Sequence, residues 1–245
     1  MAALIISVAS VQAQKSQVIA HRGYWKTAGS AQNSITSLQK ADSIHCYGSE
    51  FDVWLAKDNK LVVNHDPVYK MKYMEYSKGD ALTGLKLSNG ENLPSLQKYL
   101  EAGKKCNTKL ILELKAHNSK KRETKAVREI LAMVKKMGLE DRMEYITFSL
   151  HAMKEFIRLA PAGTPVFYLN GELSPKELKD LGAAGLDYHM GVIKKHPEWI
   201  KEAHDLGLKV NVWTVDKAED MKWLIDQKVD FITTNEPIVA QDMLK

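Results

Sequence analysis

Short apolar, β-branched runs alternate with amphipathic, helix-like stretches along nearly the whole chain. "SQVIAH" (16–21) is the first strand-like run, and over 33–45 Ile35, Leu38 and Ala41 recur on one helical face. "SEFDVWLA" (49–56) and "LVVNH" (61–65) flank the turn Lys57-Asp58-Asn59-Lys60, as two strands joined by a turn do. Residues 67–92 break the rhythm. They are polar, rich in Met and Tyr and punctuated by Gly79, Gly84 and Gly90, so they read as a loop or a short excursion. From Pro94 the alternation resumes. A helix at "PSLQKYLEAG" leads to the strand "KLILELKA" (109–116) and a long helix over 121–137. "MEYITFS" (143–149) precedes a helix from His151 to Leu159, and "TPVFYLN" (164–170) precedes one opening at Ser174-Pro175, a favourable cap and first-turn pair. "LDYHMGV" (186–192), "KVNVWTV" (209–215) and "DFITTN" (230–235) follow, with helices expected near Pro197, near Asp216 and at the C-terminus.

Counting 49–65 as one strand with its return gives the strand–helix repeat of an α/β protein, and apolar strands at this spacing imply parallel pairing with both faces covered. The pattern predicts a TIM (β/α)8 barrel in a single domain, for which 245 residues is an ordinary length. A doubly wound open sheet is the alternative, but no glycine-rich nucleotide turn follows the first strand.

Composition changes this picture little. Hydrophobic residues make up 44% and charged residues 27%, as in a soluble globular protein able to bury a core without metal or disulfide staples. The net charge of +5 is dispersed, and its densest run, Lys120 to Lys125, is mixed in sign and lacks interleaved aromatics. That run reads as a solvated helix start, and no nucleic-acid partner is expected. Residues 1–14 carry no charge, are too short to span a bilayer, and include Val11-Gln12-Ala13, a small-residue pattern suited to a signal-peptidase cut. The expectation is a signal-peptide remnant over 1–13 that lacks its basic leading segment. The mature chain would be exported, periplasmic or secreted, without stable membrane insertion. Cys46 and Cys106 precede neighbouring strands at the predicted barrel floor; two buried free thiols is the simpler expectation, a disulfide the alternative.

A barrel of this kind carries its active site at the C-terminal strand ends. There the sequence places His21 and Arg22, then Glu50 and Asp52 with His65, then Glu113 and Lys115. Later ends supply Ser149, Asn170, His189, Trp213, Thr214, Asn235 and Glu236. Residues two apart on a strand share a face, so Glu50 pairs with Asp52 and Glu113 with Lys115. Three converging carboxylates repel unless a positive charge lies between them. A hard divalent cation, Mg²⁺ or Ca²⁺, is the economical answer, and the His/Cys pattern that zinc prefers is absent. Arg22 and Lys115 beside it suit a phosphate oxyanion, and His21 and His65 are groups able to trade protons near neutral pH.

Together "IAHRG" (19–23), Asn33 in "AQNS", "EFDVWLAKDNKLVVNHDP", "LPSLQKYL", "LILELK", "VNVWTVD" and "DFITTNEP" resemble the glycerophosphodiester phosphodiesterase family, in order from about residue 18 to 237. The resemblance implies a TIM barrel that hydrolyses glycerophosphodiesters to an alcohol and glycerol phosphate with a divalent metal. It implies Glu50, Asp52 and Glu113 as metal ligands, His21 and His65 as the acid/base pair, Arg22 and Lys115 on the phosphate, and Asn33 organising the mouth and reaching a phosphate oxygen. It also implies attack by the neighbouring glycerol hydroxyl and a cyclic phosphate that water then opens. The chain departs from the family in having Ala31-Gln32-Asn33-Ser34 where Pro-Glu-Asn-Thr is usual, and in a short segment between His65 and Pro94. Alternatives are a phospholipase D-like lyase that stops at the cyclic product, or a non-catalytic barrel that holds a phosphorylated ligand. Trp213 and His189 are expected to contact substrate, Tyr24 and Trp25 to wall the mouth or else pack the first loop, Trp54 to fill the barrel interior, and His117 to serve the loop after its strand.

Overall fold

In the computed structural model, which describes residues 15–245, the apolar runs become strands that pair in parallel and close on themselves. Along the chain these are β1 (Gln17–Ala20), β2 (Gly48–Leu55), β3 (Leu61–Val63), β4 (Val68–Tyr69), β5 (Lys72–Tyr73) and β6 (Lys109–Leu114). They continue with β7 (Met143–Thr147), β8 (Val166–Tyr168), β9 (Gly185–His189), β10 (Lys209–Trp213) and β11 (Phe231–Thr234). β1 pairs with both β11 and β2, so β1, β2 and β6 to β11 close an 8-stranded parallel barrel among the described residues. β3 lies antiparallel on the upper end of β2, with Val53 opposite Val63, and is the predicted return strand.

The helices are α1 (Ile35–Ser43), α2 (Gly79–Thr83), α3 (Leu96–Gly103), α4 (Lys120–Met137), α5 (Leu150–Leu159), α6 (Pro175–Leu181), α7 (Met190–Lys195), α8 (Glu198–Asp205), α9 (Ala218–Asp226) and α10 (Pro237–Met243). Serine side chains at 34, 95, 119, 149 and 174 accept the N–H three residues on and so fix where α1, α3, α4, α5 and α6 begin. Two expected boundaries move. β9 stops at His189 rather than running to 192, because the His189 ring accepts the Gly191 N–H and caps the extra helix α7. α9 starts at Ala218 rather than near Asp216, whose carboxylate is turned toward Thr234 and Asn235.

Apolar residues pack in three groups. The largest lies between barrel and helices; a second fills the barrel with Ile19, Ile111, Ile146, Phe167, Leu169 and Phe231. The third gives the 67–92 excursion its form and corrects the expectation for Trp54. Trp54 lies one residue past Val53, the last residue of β2 in register with β6, and therefore above the barrel interior. There it packs with Val62, Met74, Leu82, Leu87 and Leu93, and its indole N–H donates to His65 O at 3.3 Å. Of the two readings, the segment is the short excursion: it folds as the β4–β5 hairpin and α2 over a small core at one side of the mouth. Cys46 and Cys106 are buried free thiols, as the simpler expectation held. The expected signal segment lies outside the described residues. Among those residues, no helix is long and apolar enough to cross a membrane.

Candidate active site

The tight turn after β1 places the first two polar groups. Arg22 adopts φ 56°, a left-handed conformation costing about 1–2 kcal/mol for a side-chain-bearing residue, and this aims its backbone N–H at Glu50 Oε2, 2.7 Å away. Gly23 follows at φ 74°, and a Cβ there would lie 2.3 Å from Ser37 Oγ. Only glycine lets the turn sit this close to α1.

Strand register places the carboxylates. Asp52 on β2 stands directly beside Glu113 on β6, with Glu50 one repeat below Asp52 on the same face. Oxygens from the three buried groups all lie within 4.8 Å of one another. Lys115 Nζ reaches Glu113 Oε1 at 2.7 Å and Asp52 Oδ1 at 3.2 Å. The Asn33 amide, held at φ 60°, donates to Asp52 Oδ2 at 2.8 Å and accepts the Asp52 backbone N–H at 3.1 Å. Its contacts are therefore with a carboxylate. Arg22 Nε stands 3.8 Å from Asp52 Oδ2, and its Nη1 donates to Gln32 Oε1 at 2.7 Å.

The charges do not balance within the protein. Burial, Asp52 and Glu113 hold the Glu50 carboxyl well above the usual range. Burial and Asp52 push Glu113 up to about 7 despite Lys115. Burial also opposes ionisation of Asp52, but Lys115, His65, Arg22 and Asn33 outweigh it and hold that carboxyl below its ordinary value. Glu50 Oε1 is buried and accepts no hydrogen bond. A cluster of carboxylate oxygens with one orphaned and two reluctant to ionise is what a divalent cation with oxygen ligands relieves. Glu50, Asp52 and Glu113 fit such an ion.

Both histidines face the same space. His21 Nδ1 is 2.9 Å from Asn235 Oδ1, and its Nε2 lies 4.0 Å from Glu50 Oε2. Burial, with Arg22 adding to it, lowers the His21 pKa to about 4. His65 sits on the loop after β3, its Nδ1 2.8 Å from Asp66 Oδ1, and burial lowers its pKa despite Asp52 and Asp66. A deep cavity of about 100 Å³ is lined by His21, Glu50, Glu113, Phe148, Asp187 and Trp213, among others. His65 also borders an outer groove of about 420 Å³ whose walls include Trp25, Asn33, Asp66 and Tyr69.

Trp213 walls the deep cavity and donates its indole N–H to Asp187 O at 2.8 Å. The exposed His189 ring stands edge-on to Trp213 at 5.2 Å, with its Nδ1 already accepting from Gly191. His117 accepts the Leu55 N–H on Nε2 at 2.9 Å, a backbone role outside both cavities.

Several residues that matter here escaped the sequence reading. Asn235 was noted only as a strand end, yet its side chain bridges His21, the Trp25 indole N–H at 3.0 Å and Asp216 Oδ2 at 2.8 Å. Trp25, for which walling the mouth and packing its loop are both open from the sequence, walls the outer groove. Asp187 brings a fourth buried carboxyl to the deep cavity, one oxygen of it without a partner, and burial holds it well above the usual range. The parity of β9 was a usable signal for Asp187; nothing local marked the role of Asn235.

A carboxylate-floored barrel mouth with two cations and two histidines has the parts a phosphate-ester hydrolase uses. The model of the glycerophosphoryl diester phosphodiesterase family matches residues 21–239, and the chain belongs to that family, whose members hydrolyse glycerophosphodiesters. A glycerophosphodiester phosphodiesterase of Caldanaerobacter subterraneus subsp. tengcongensis is 27% identical over 238 residues, covering 91% of this chain and 95% of that protein. The crystal structure of a glycerophosphodiester phosphodiesterase from Parabacteroides distasonis superposes with a TM-score of 0.93 at 53% identity, covering 94% of this chain and 97% of that one. An Oleispira antarctica phosphodiesterase, solved with the product sn-glycerol-3-phosphate, shares the fold with a TM-score of 0.81 at 22% identity, over 94% and 96% of the two chains.

Proposed function

We propose that this enzyme cleaves glycerophosphodiesters in two proton-transfer steps, with His21 deep in the site and His65 at its rim. The observation that carries this is the Asn235 bridge. Asp216 accepts from the Asn235 amide nitrogen, so Asn235 Oδ1 faces His21 and requires a proton on Nδ1. The Nε2 lone pair is thereby left facing the carboxylate floor and the cavity. A buried, neutral imidazole in this tautomer is a base.

In the first step His21 Nε2 takes the proton of the glycerol hydroxyl next to the phosphoester, and that oxygen bonds to phosphorus. The bond to the departing alcohol breaks, and His65, which enters the step protonated beside Asp66 and borders the outer groove, gives that alcohol its proton and is left neutral. In the second step a water loses a proton to His65 and attacks the cyclic phosphate, and His21 returns its proton to the glycerol oxygen. Arg22 and Lys115 face the phosphate oxygens and offset their growing charge. A divalent cation held by Glu50, Asp52 and Glu113 supplies further neutralisation of phosphate charge when bound. The deep cavity, about 100 Å³ or the volume of roughly three waters, suits the three-carbon glycerol end, and the outer groove suits the departing alcohol.

A glycerophosphodiester and its analogue lacking the neighbouring hydroxyl separate this route from direct attack by water. The proposal expects turnover of the first only, with glycerol phosphate as final product. Equal hydrolysis of both overturns it, and a cyclic phosphate that is never opened marks a lyase.

A further inference from the structure

Four of the six large apolar side chains that stand in solvent among the described residues are Val68, Met71, Tyr73 and Tyr76, all on or just after the β4–β5 hairpin. Met71, at its tip, is 92% exposed. The hairpin is anchored from below: Met74 is fully buried in the small core, its N–H donates to Pro67 O, and the Tyr69 hydroxyl donates to Lys86 O. The tip is therefore held outward by packing. It stands at the rim of the mouth, since Tyr69 and His65 border the same groove.

The turn itself is unusual. Val68 pairs with Tyr73 and Tyr69 with Lys72, leaving Lys70 and Met71 as a two-residue loop with φ 45° and 61°. Loops with positive φ at both positions favour Asn-Gly, because side chains such as lysine and methionine are strained there. Backbone strain is being carried to present a cation and a flexible apolar side chain at one point. Lys70, Lys72 and Lys78 flank the exposed Met and Tyr groups, whereas the nearby Glu75 carboxylate is turned away to accept the Asn118 N–H. Tyr at the level of headgroups, Met inserted among acyl chains and lysines on anionic phosphates is the combination with which proteins rest on a membrane without spanning it.

We infer that the β4–β5 hairpin docks the barrel mouth on an anionic phospholipid surface, Met71 entering the bilayer interface and the lysines meeting its phosphates. This bears on where the enzyme meets its substrate. The binding itself does not depend on the catalytic reading, and the two fail separately: vesicle binding is measured without turnover, and soluble glycerophosphodiester hydrolysis without vesicles.

The test is co-sedimentation with phosphatidylcholine vesicles and with vesicles that also contain phosphatidylglycerol, alongside turnover of a soluble glycerophosphodiester. Wild type should sediment only with the anionic vesicles and release at high salt. Each lysine removed should weaken binding about fivefold, so Lys70→Glu/Lys72→Glu should abolish sedimentation. Lys70→Asn/Met71→Gly gives the turn its preferred residues, so it should raise thermal stability and still lose at least tenfold in vesicle binding. Both variants should keep wild-type soluble turnover. No sedimentation of wild type, or undiminished sedimentation of either variant, overturns the inference. So does self-association of wild type that the Asn-Gly variant loses, which would assign the tip to a second copy of the chain.

Discussion

Replacing Asn235 by alanine removes one amide and tests the logic of the proton path. Asn235 Oδ1 accepts from His21 Nδ1 at 2.9 Å and from the Trp25 indole at 3.0 Å, while Asp216 fixes the other end of the amide at 2.8 Å. Without it, the preference of His21 for the Nδ1–H tautomer loses one hydrogen bond, about 1 kcal/mol or a factor of about five. The ring also loses its orienting contact, and misplacing a reacting group by about 1 Å costs about 10² in rate. The two effects overlap, and the predicted fall in kcat is about 10², within the 10²–10⁴ that a whole acid/base group supplies. KM should move by less than about threefold, because Asn235 does not border the cavity that takes the substrate. Steady-state kinetics on a soluble glycerophosphodiester give both numbers, and imidazole nitrogen shifts report the tautomer directly. A variant with wild-type kcat, or one impaired only in KM, would refute the reasoning.

The carboxylate cluster predicts that EDTA abolishes turnover and that Mg²⁺ or Ca²⁺ restores it, as kinetics before and after dialysis would show. Because burial and the neighbouring carboxylates push Glu113 up to about 7 and hold Glu50 above its ordinary range, cation affinity should fall as pH drops below about 7, with protons released on binding. Calorimetry in buffers of different ionisation enthalpy checks this, and pH-independent affinity without proton release counts against the cluster. His117 makes a separate prediction about stability. Burial lowers its pKa to about 4 while Nε2 accepts the Leu55 N–H. Between about pH 6.5 and 4 the unfolded chain therefore binds more protons at this site, and the histidine costs stability as pH falls. His117→Gln keeps an acceptor without titrating, so urea unfolding should find it about 2–3 kcal/mol more stable relative to wild type at pH 4.5 than at pH 7. Parallel pH profiles of the two proteins contradict the assignment.

The barrel was legible because its strands are short apolar runs that recur at regular spacing and are flanked by serine caps, so local pattern and global fold agree. The carboxylate cluster was legible for a related reason: strand parity ties Glu50 to Asp52 and Glu113 to Lys115 before any register is known. The 67–92 cover was not, because its core is assembled from single residues of distant origin, Trp54 and Val62 from one side and Met74, Leu82 and Leu87 from the other. Such a core leaves no periodic trace. Trp54 misled for the same reason, since parity gives the face of a strand but not the height at which the barrel ends. Asn235 lies 214 positions from His21, and no local signal connects them. His189 shows the reverse: a polar strand end whose ring caps the next helix and touches the Trp213 edge.

The most direct test of the account follows glycerophosphodiester cleavage by phosphorus NMR with His21→Ala, His65→Ala and wild type, each supplied with the divalent cation and each checked for native unfolding temperature. Wild type should convert the diester to glycerol phosphate, while each folded variant should lose at least about 10² in turnover. A folded variant of either histidine that forms glycerol phosphate at near-wild-type rate contradicts the acid/base assignment.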